Sequence, residues 1–237
     1  MKYAITLAAG LALSAVAANA NPATPKLHPI KEVCITYEWT GQMMNGSSVR
    51  CHRDYGYEMY EIEDMTVGIA GFSQAQKEHR VIIGDTIYAI DTAANTGTKT
   101  KNPMYDQMVE AVKKGGPEDV TKVFLDAMSF EETSEQKTVA GKKCTVHTSP
   151  LITEACLSDK ALILEQNVMG NVMRATSITF NAGEAKNYRR HESATITDGP
   201  DLSEEMEGMD ALEALEGLQG LEGLQDLNLG DLFGQQE

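Results

Sequence analysis

Val33-Cys34-Ile35-Thr36-Tyr37-Glu38-Trp39-Thr40 reads as a strand with two unlike faces. Successive side chains of an extended chain point to opposite sides, so Val33, Ile35, Tyr37 and Trp39 share one face. Cys34, Thr36, Glu38 and Thr40 share the other. The same period of two recurs on both sides of this stretch. Gly41 to Ser48 reads as a turn carrying Met43 and Met44, and Val49 to Tyr55 as a second strand stopped by Gly56. Tyr57, Met59 and Glu61 fall on one face of a third, and Gly68 to Gly71 punctuates the chain. His79 to Ile83 and Thr86 to Ile90 flank Gly84-Asp85, a hairpin signal. Asn95 to Lys101 reads as a polar turn or edge segment.

Two helical segments follow. Pro103 suits a first helical turn. Met104, Met108, Ala111 and Val112 then lie on one face until Gly115-Gly116 stops the pattern. Pro117 opens a second helix, with Val120, Val123, Phe124 and Ala127 at helical spacing. Each helix is amphipathic and needs an apolar surface to cover. Strand patterning returns at Glu131–Val139, Lys143–Thr148, Ile152–Leu157, Ala161–Val168 and Val172–Phe180, with turns at Gly141 and Met169-Gly170-Asn171. Nine or ten strands with two helices inserted midway predict an α+β fold. Its form is a curved antiparallel sheet, an incomplete β-barrel, covered by two short helices.

The first twenty residues have the character of an export signal. Lys2 precedes an uncharged Ala- and Leu-rich run from Ala4 to Ala17, which closes on Ala18-Asn19-Ala20. That small-x-small ending fits signal peptidase, and the run is shorter than the roughly 20 residues that span a bilayer. The expectation is a signal peptide over 1–20, a β-rich half-barrel domain over 21–200 and a periplasmic address. Residues 201–237 form a third region, a flexible acidic tail, disordered or partly helical. It holds eleven acidic residues and no Lys or Arg. The body keeps 19 basic and 24 acidic residues, with no basic footprint for nucleic acid. From Met206 to Leu227 an apolar residue recurs every third position, which winds around a 3.6-residue helix instead of forming a stripe. Such a segment is suited to folding on a partner or back onto an apolar cavity.

Cys34, Cys51, Cys144 and Cys156 are even in number, as expected for two disulfides in an exported chain. Three connectivities are possible. Cys34–Cys51 and Cys144–Cys156 are favoured because each pair flanks a turn between extended segments. There is no C-x-x-C, and His28, His52, His79, His147 and His191 are scattered, so neither redox chemistry nor a metal centre is expected. The chain has no G-x-S-x-G elbow, phosphate-binding glycine loop or zincin motif, so no catalytic residues are assigned. No cofactor is expected.

Several stretches occur in the order found in one group of small exported bacterial proteins. They are Thr36-Tyr37 to Gly46, Asp54-Tyr55-Gly56, Gly84-Asp85-Thr86-Ile87-Tyr88-Ala89-Ile90-Asp91 and Thr96-Gly97-Thr98-Lys99-Thr100-Lys101-Asn102-Pro103-Met104. Val139-Ala140-Gly141-Lys142-Lys143-Cys144 and Val168-Met169-Gly170-Asn171 follow. Over residues 31–182 the chain resembles the outer-membrane lipoprotein carriers and their receptor, the LolA/LolB-like fold. The resemblance implies an unclosed barrel wrapped around helices with an apolar cavity for acyl chains. Tyr37, Trp39, Met43 and Met44 would then line the concave side with Val33 and Ile35. Met104, Met108 and Phe124 would present helix faces as a lid. Two disulfides and the acidic tail lie outside the carrier pattern. The expectation is therefore a non-enzymatic periplasmic protein that holds an apolar ligand, a lipid or an acylated protein, in a half-barrel cavity. The alternative is a cell-envelope protein that recruits a partner through its acidic Leu-rich tail. Peripheral membrane contact is compatible with either.

Overall fold

A computed structural model describes residues 24–69, 72–150 and 153–200. The chain runs through β1 (Val33–Thr40), β2 (Met44–Arg53), β3 (Glu58–Ile69), β4 (Phe72–Ile83), β5 (Thr86–Asp91) and β6 (Thr96–Lys101). Two helices follow, α1 (Tyr105–Gly115) and α2 (Pro117–Ala127). The second run of strands is β7 (Glu131–Val139), β8 (Lys142–Thr148), β9 (Glu154–Leu157), β10 (Ile163–Val168), β11 (Asn171–Thr179) and β12 (Thr195–Asp198). Among the described residues all these strands belong to one sheet, in the order β12-β6-β5-β4-β3-β2-β1-β11-β10-β9-β8-β7. Neighbours are antiparallel, apart from the parallel pairing of β12 with β6. The sheet ends at β7 on one side and β12 on the other, so the architecture is a curved, incomplete barrel with two helices. The helices connect β6 to β7, near opposite ends of the strand order.

The stretch from Val33 sits at the centre of this sheet, paired with β2 and β11. Val33, Ile35 and Tyr37 are buried, while Glu38 is exposed. They pack in one apolar cluster with Val146, Leu164, Met173 and Ala175. Both favoured disulfides are formed: Cys34–Cys51 joins β1 to β2 with Cα atoms 4.1 Å apart, and Cys144–Cys156 joins β8 to β9 at 5.3 Å. Two bridges belong to an oxidising, extracytoplasmic setting.

Three features differ from the sequence reading. β2 begins at Met44, so the β1–β2 turn is shorter than Gly41 to Ser48. Gly46 suggests a turn in sequence but sits inside the strand. A Cβ there would collide with the Asp64 carbonyl oxygen, so the close approach of β3 excludes a side chain. β4 is much longer than His79 to Ile83, because polar residues from Ser73 to Glu78 continue the ladder with β3. Finally, Thr195–Asp198 adds a strand that its polar composition does not announce.

The stretch between β11 and β12 forms a strap across the sheet. Gly183 lies over the first disulfide with φ of 63°, a left-handed conformation that suits glycine. A Cβ there would meet Cys34 Sγ at 2.7 Å. Tyr188 is buried edge-on to Tyr60, 4.8 Å between ring centres, and its hydroxyl donates to Ala182 O at 2.8 Å. The Arg53 guanidinium sits 4.2 Å from the Tyr188 ring. Next along the strap, Asn187 O lies 2.9 Å from His79 Nε2, and the His191 ring stands 5.0 Å from that of His79. The signal-peptide and tail assignments, 1–20 and 201–237, fall outside the described residues.

Candidate functional site

α1 ends where Gly116 takes φ of 93°, which turns the chain into α2. Glu118, Thr121 and Leu125 then recur at three- and four-residue spacing, so one face of α2 carries all three. Leu125, with Met128 and Phe130 beyond it, packs on Ala155 and Leu157 of β9. The face of α2 thereby overhangs the β7–β8–β9 end of the sheet. Between them opens a cleft of about 1060 Å³.

The walls come from separate stretches of the chain. α2 supplies Glu118, Thr121 and Leu125; β7 supplies Glu132 and Gln136; β8 supplies Lys142 to Thr145 and His147. β9 supplies Leu157 and the β9–β10 connection Ser158 to Leu162, the stretch before β1 supplies Pro29 and Ile30, and Phe180 follows β11. Ile30, Leu157 and Leu162 are buried and give the cleft an apolar floor. The β9–β10 connection is held tight by its own polar groups. Ser158 Oγ accepts from the Lys160 and Leu162 amides at 3.3 and 3.1 Å, and Ser158 N donates to Leu162 O at 2.9 Å. This closure brings Lys160 and Leu162 to one wall.

Charged and aromatic groups ring the floor. Lys142 Nζ lies 5.3 Å from the Phe180 ring centre, and Phe180 is 58% exposed. His147 is buried, with Nδ1 3.0 Å from Thr145 O and Nε2 3.9 Å from the Glu132 carboxylate. Among the described residues no group of three or more His, Cys, Asp or Glu side chains is placed to hold a metal ion.

Of the seven residues expected to contact a ligand, the six whose side chains are described lie elsewhere. Tyr37 is 1% exposed, and its hydroxyl donates to Ile163 O at 2.9 Å. Burial pushes its pKa up to about 12. Trp39 is half-buried and donates from Nε1 to Ser48 Oγ at 3.3 Å. Met43 is 40% exposed in the β1–β2 turn, where Met44 starts β2. Met104 caps the N-terminus of α1 and Met108 is half-buried within it. Phe124 belongs to α2, but its side chain lies outside those described. Tyr37, Trp39, Met43, Met44, Met104 and Met108 are not among the residues that line the cleft.

Beyond Tyr37 the same face of the sheet is polar. Ile35, Arg50, Glu61, Arg80 and Ala89 stand in one cross-strand row. Buried Glu61 accepts from Arg50 Nε and Nη2 at 3.1 and 2.7 Å and from Arg80 Nη1 at 3.1 Å. Arg80 Nη2 also reaches Glu78 at 2.5 Å. Burial first, and then the Glu61 charge, raise the pKa of neighbouring Glu63. This is a paired network whose charges are spent on one another.

The cleft was hidden in sequence because its floor residues sit far apart in the chain. A local signal was present in Leu157-Ser158-Asp159-Lys160-Ala161-Leu162, a tight polar loop between two leucines.

No family model matches the chain, and no curated protein is similar to it. Among solved structures it is similar to an uncharacterised conserved protein from Thermus thermophilus. The TM-score is 0.45 at 8% identity, over 71% of this chain and 91% of that one.

Proposed function

We propose that this is an exported, non-enzymatic protein of the periplasm that binds an apolar-tailed ligand, a lipid or the acyl group of a modified protein. The observation that carries the reading is the cleft under α2. Its volume, about 1060 Å³, is just above the roughly 300–1,000 Å³ of small-molecule sites. Buried Ile30, Leu157 and Leu162 form its floor and Leu125 overhangs it. An acyl chain laid on that floor leaves water by the same physics that drives burial in a core. The disulfides and the amino-terminal export pattern support the compartment, where apolar cargo needs shielding between two membranes. The sequence resemblance to the lipoprotein carriers and their receptor points toward the same role.

A neutral naphthylamine dye provides the test. The mature protein should enhance its fluorescence saturably, and Leu125→Glu should reduce the affinity at least tenfold while circular dichroism stays unchanged. Equal dye affinity in both proteins would place the apolar site away from this cleft.

A further inference from the structure

The charges around the cleft are of both signs and do not neutralise one another. Lys142 and Lys143 open β8, and Lys160 projects from the tight β9–β10 connection. Glu118 lies in the first turn of α2, Glu132 in β7 and Asp159 beside Lys160. Among the described residues no ion pair joins any of these lysines to any of these carboxylates. Glu132 faces His147, and Lys142 lies over Phe180. Elsewhere in the sheet opposite charges do pair, as in the Arg50–Glu61–Arg80 row. Three cations and three anions, equal in number, thus line one cleft around its apolar floor.

We infer that the cleft takes a single-chain amphiphile with a zwitterionic head, a phosphate joined to an ammonium group. This rests on the apolar-ligand reading above and names its substrate class. The chain lies over Leu157 and Leu162. The phosphate sits toward Lys142, Lys143 and Lys160, and the ammonium toward Glu118, Glu132 and Asp159. A purely anionic head would satisfy the lysines and leave the carboxylates facing like charge. A neutral head would satisfy neither set. A dipolar head completes charge-assisted bonds with both at once, and specificity follows from the like-charge contacts it avoids.

Calorimetric titration of the full mature protein with four probes tests this. They are lysophosphatidylethanolamine, lysophosphatidylglycerol and a monoacylglycerol of one chain length, and free phosphoethanolamine. Lysophosphatidylethanolamine should bind at least tenfold more tightly than each of the others. Lys142→Gln/Lys143→Gln/Lys160→Gln and, separately, Glu118→Gln/Asp159→Asn should bring it down to the monoacylglycerol level. These side chains are exposed, so both variants should keep the parent circular dichroism. Equal affinity for the three lipids would overturn the zwitterion and leave the apolar-ligand function standing. Tightest binding of lysophosphatidylglycerol would replace it with a plain anion site. Phosphoethanolamine binding as well as the lipid would overturn the amphiphile. If no lipid binds at all, the proposed function itself falls.

Discussion

Cys34→Ala/Cys51→Ala should destabilise the protein and loosen one defined part of it. The bridge closes a separation of 17 residues, and Cys144–Cys156 one of 12. Loop-closure entropy puts the loss at about 3 kcal/mol for either bridge. For a body of this size that corresponds to a fall of roughly 6–12 °C in melting temperature. The two bridges differ in what lies on them. Gly183 of the strap packs against the first disulfide, and the Tyr60 hydroxyl lies 2.9 Å from Cys51 Sγ. Residues 182–191 are therefore seated partly on sulfur. Hydrogen exchange should speed up in that segment for the Cys34/Cys51 variant and remain near wild type for Cys144→Ala/Cys156→Ala. Thermal melts in oxidising buffer, paired with exchange measured by mass spectrometry, read both effects. Melting of both double variants with the wild type, or equal strap exchange in the two, would refute this reasoning.

Acid should weaken the fold well above the carboxylate range. Burial above all, and then the neighbouring His52, hold His28 down at about 3, and burial likewise lowers His52 and His79. The unfolded chain protonates these imidazoles below about 6.5, while the folded chain resists protonating all three, His28 down to about 3. Stability is thus full above pH 6.5 and is lost as pH falls from there toward 3. For His28 alone the loss is about 2 kcal/mol by pH 5. Urea midpoints at pH 7.5 and 5 measure it, and identical midpoints would contradict the burial argument. Asn171→Ala should cost about 2–4 kcal/mol. Buried Asn171 accepts from both Met43 N and Met44 N at 3.0 Å and donates to Val168 O at 3.2 Å, tying two hairpins together. Asn171→Asp keeps the acceptor and should lose less, and equal urea midpoints for the two variants would argue against the clamp.

Local chemistry made the centre of the sheet readable. Alternation from Val33 to Trp39 marks a strand with one buried face, and paired cysteines flanking hairpins indicate their own partners. The less readable parts depend on contacts distant in sequence. Gly46 resembles a turn residue until β3 is brought against it. Ser73 to Glu78 carries little apolar signal, and the ladder with β3 is what makes it a strand. The strap has no periodicity at all, and its order comes from Tyr188, Asn187 and Gly183 meeting Tyr60, His79 and the disulfide. The concave-face residues suggested by the resemblance run from closed-in Tyr37 to exposed Met43. The cleft instead gathers Ile30, Leu125, Leu157 and Leu162, which only tertiary packing brings together.

Native mass spectrometry of the protein, purified without detergent, tests the central claim most directly. A ligand-binding cleft predicts a one-to-one adduct of lipid mass, either carried through purification or formed on adding lysophosphatidylethanolamine. The adduct should be diminished in Leu125→Glu and in Phe180→Ser, the latter at an exposed position where folding is not at stake. A clean unliganded mass that stays unliganded after lipid addition would contradict it.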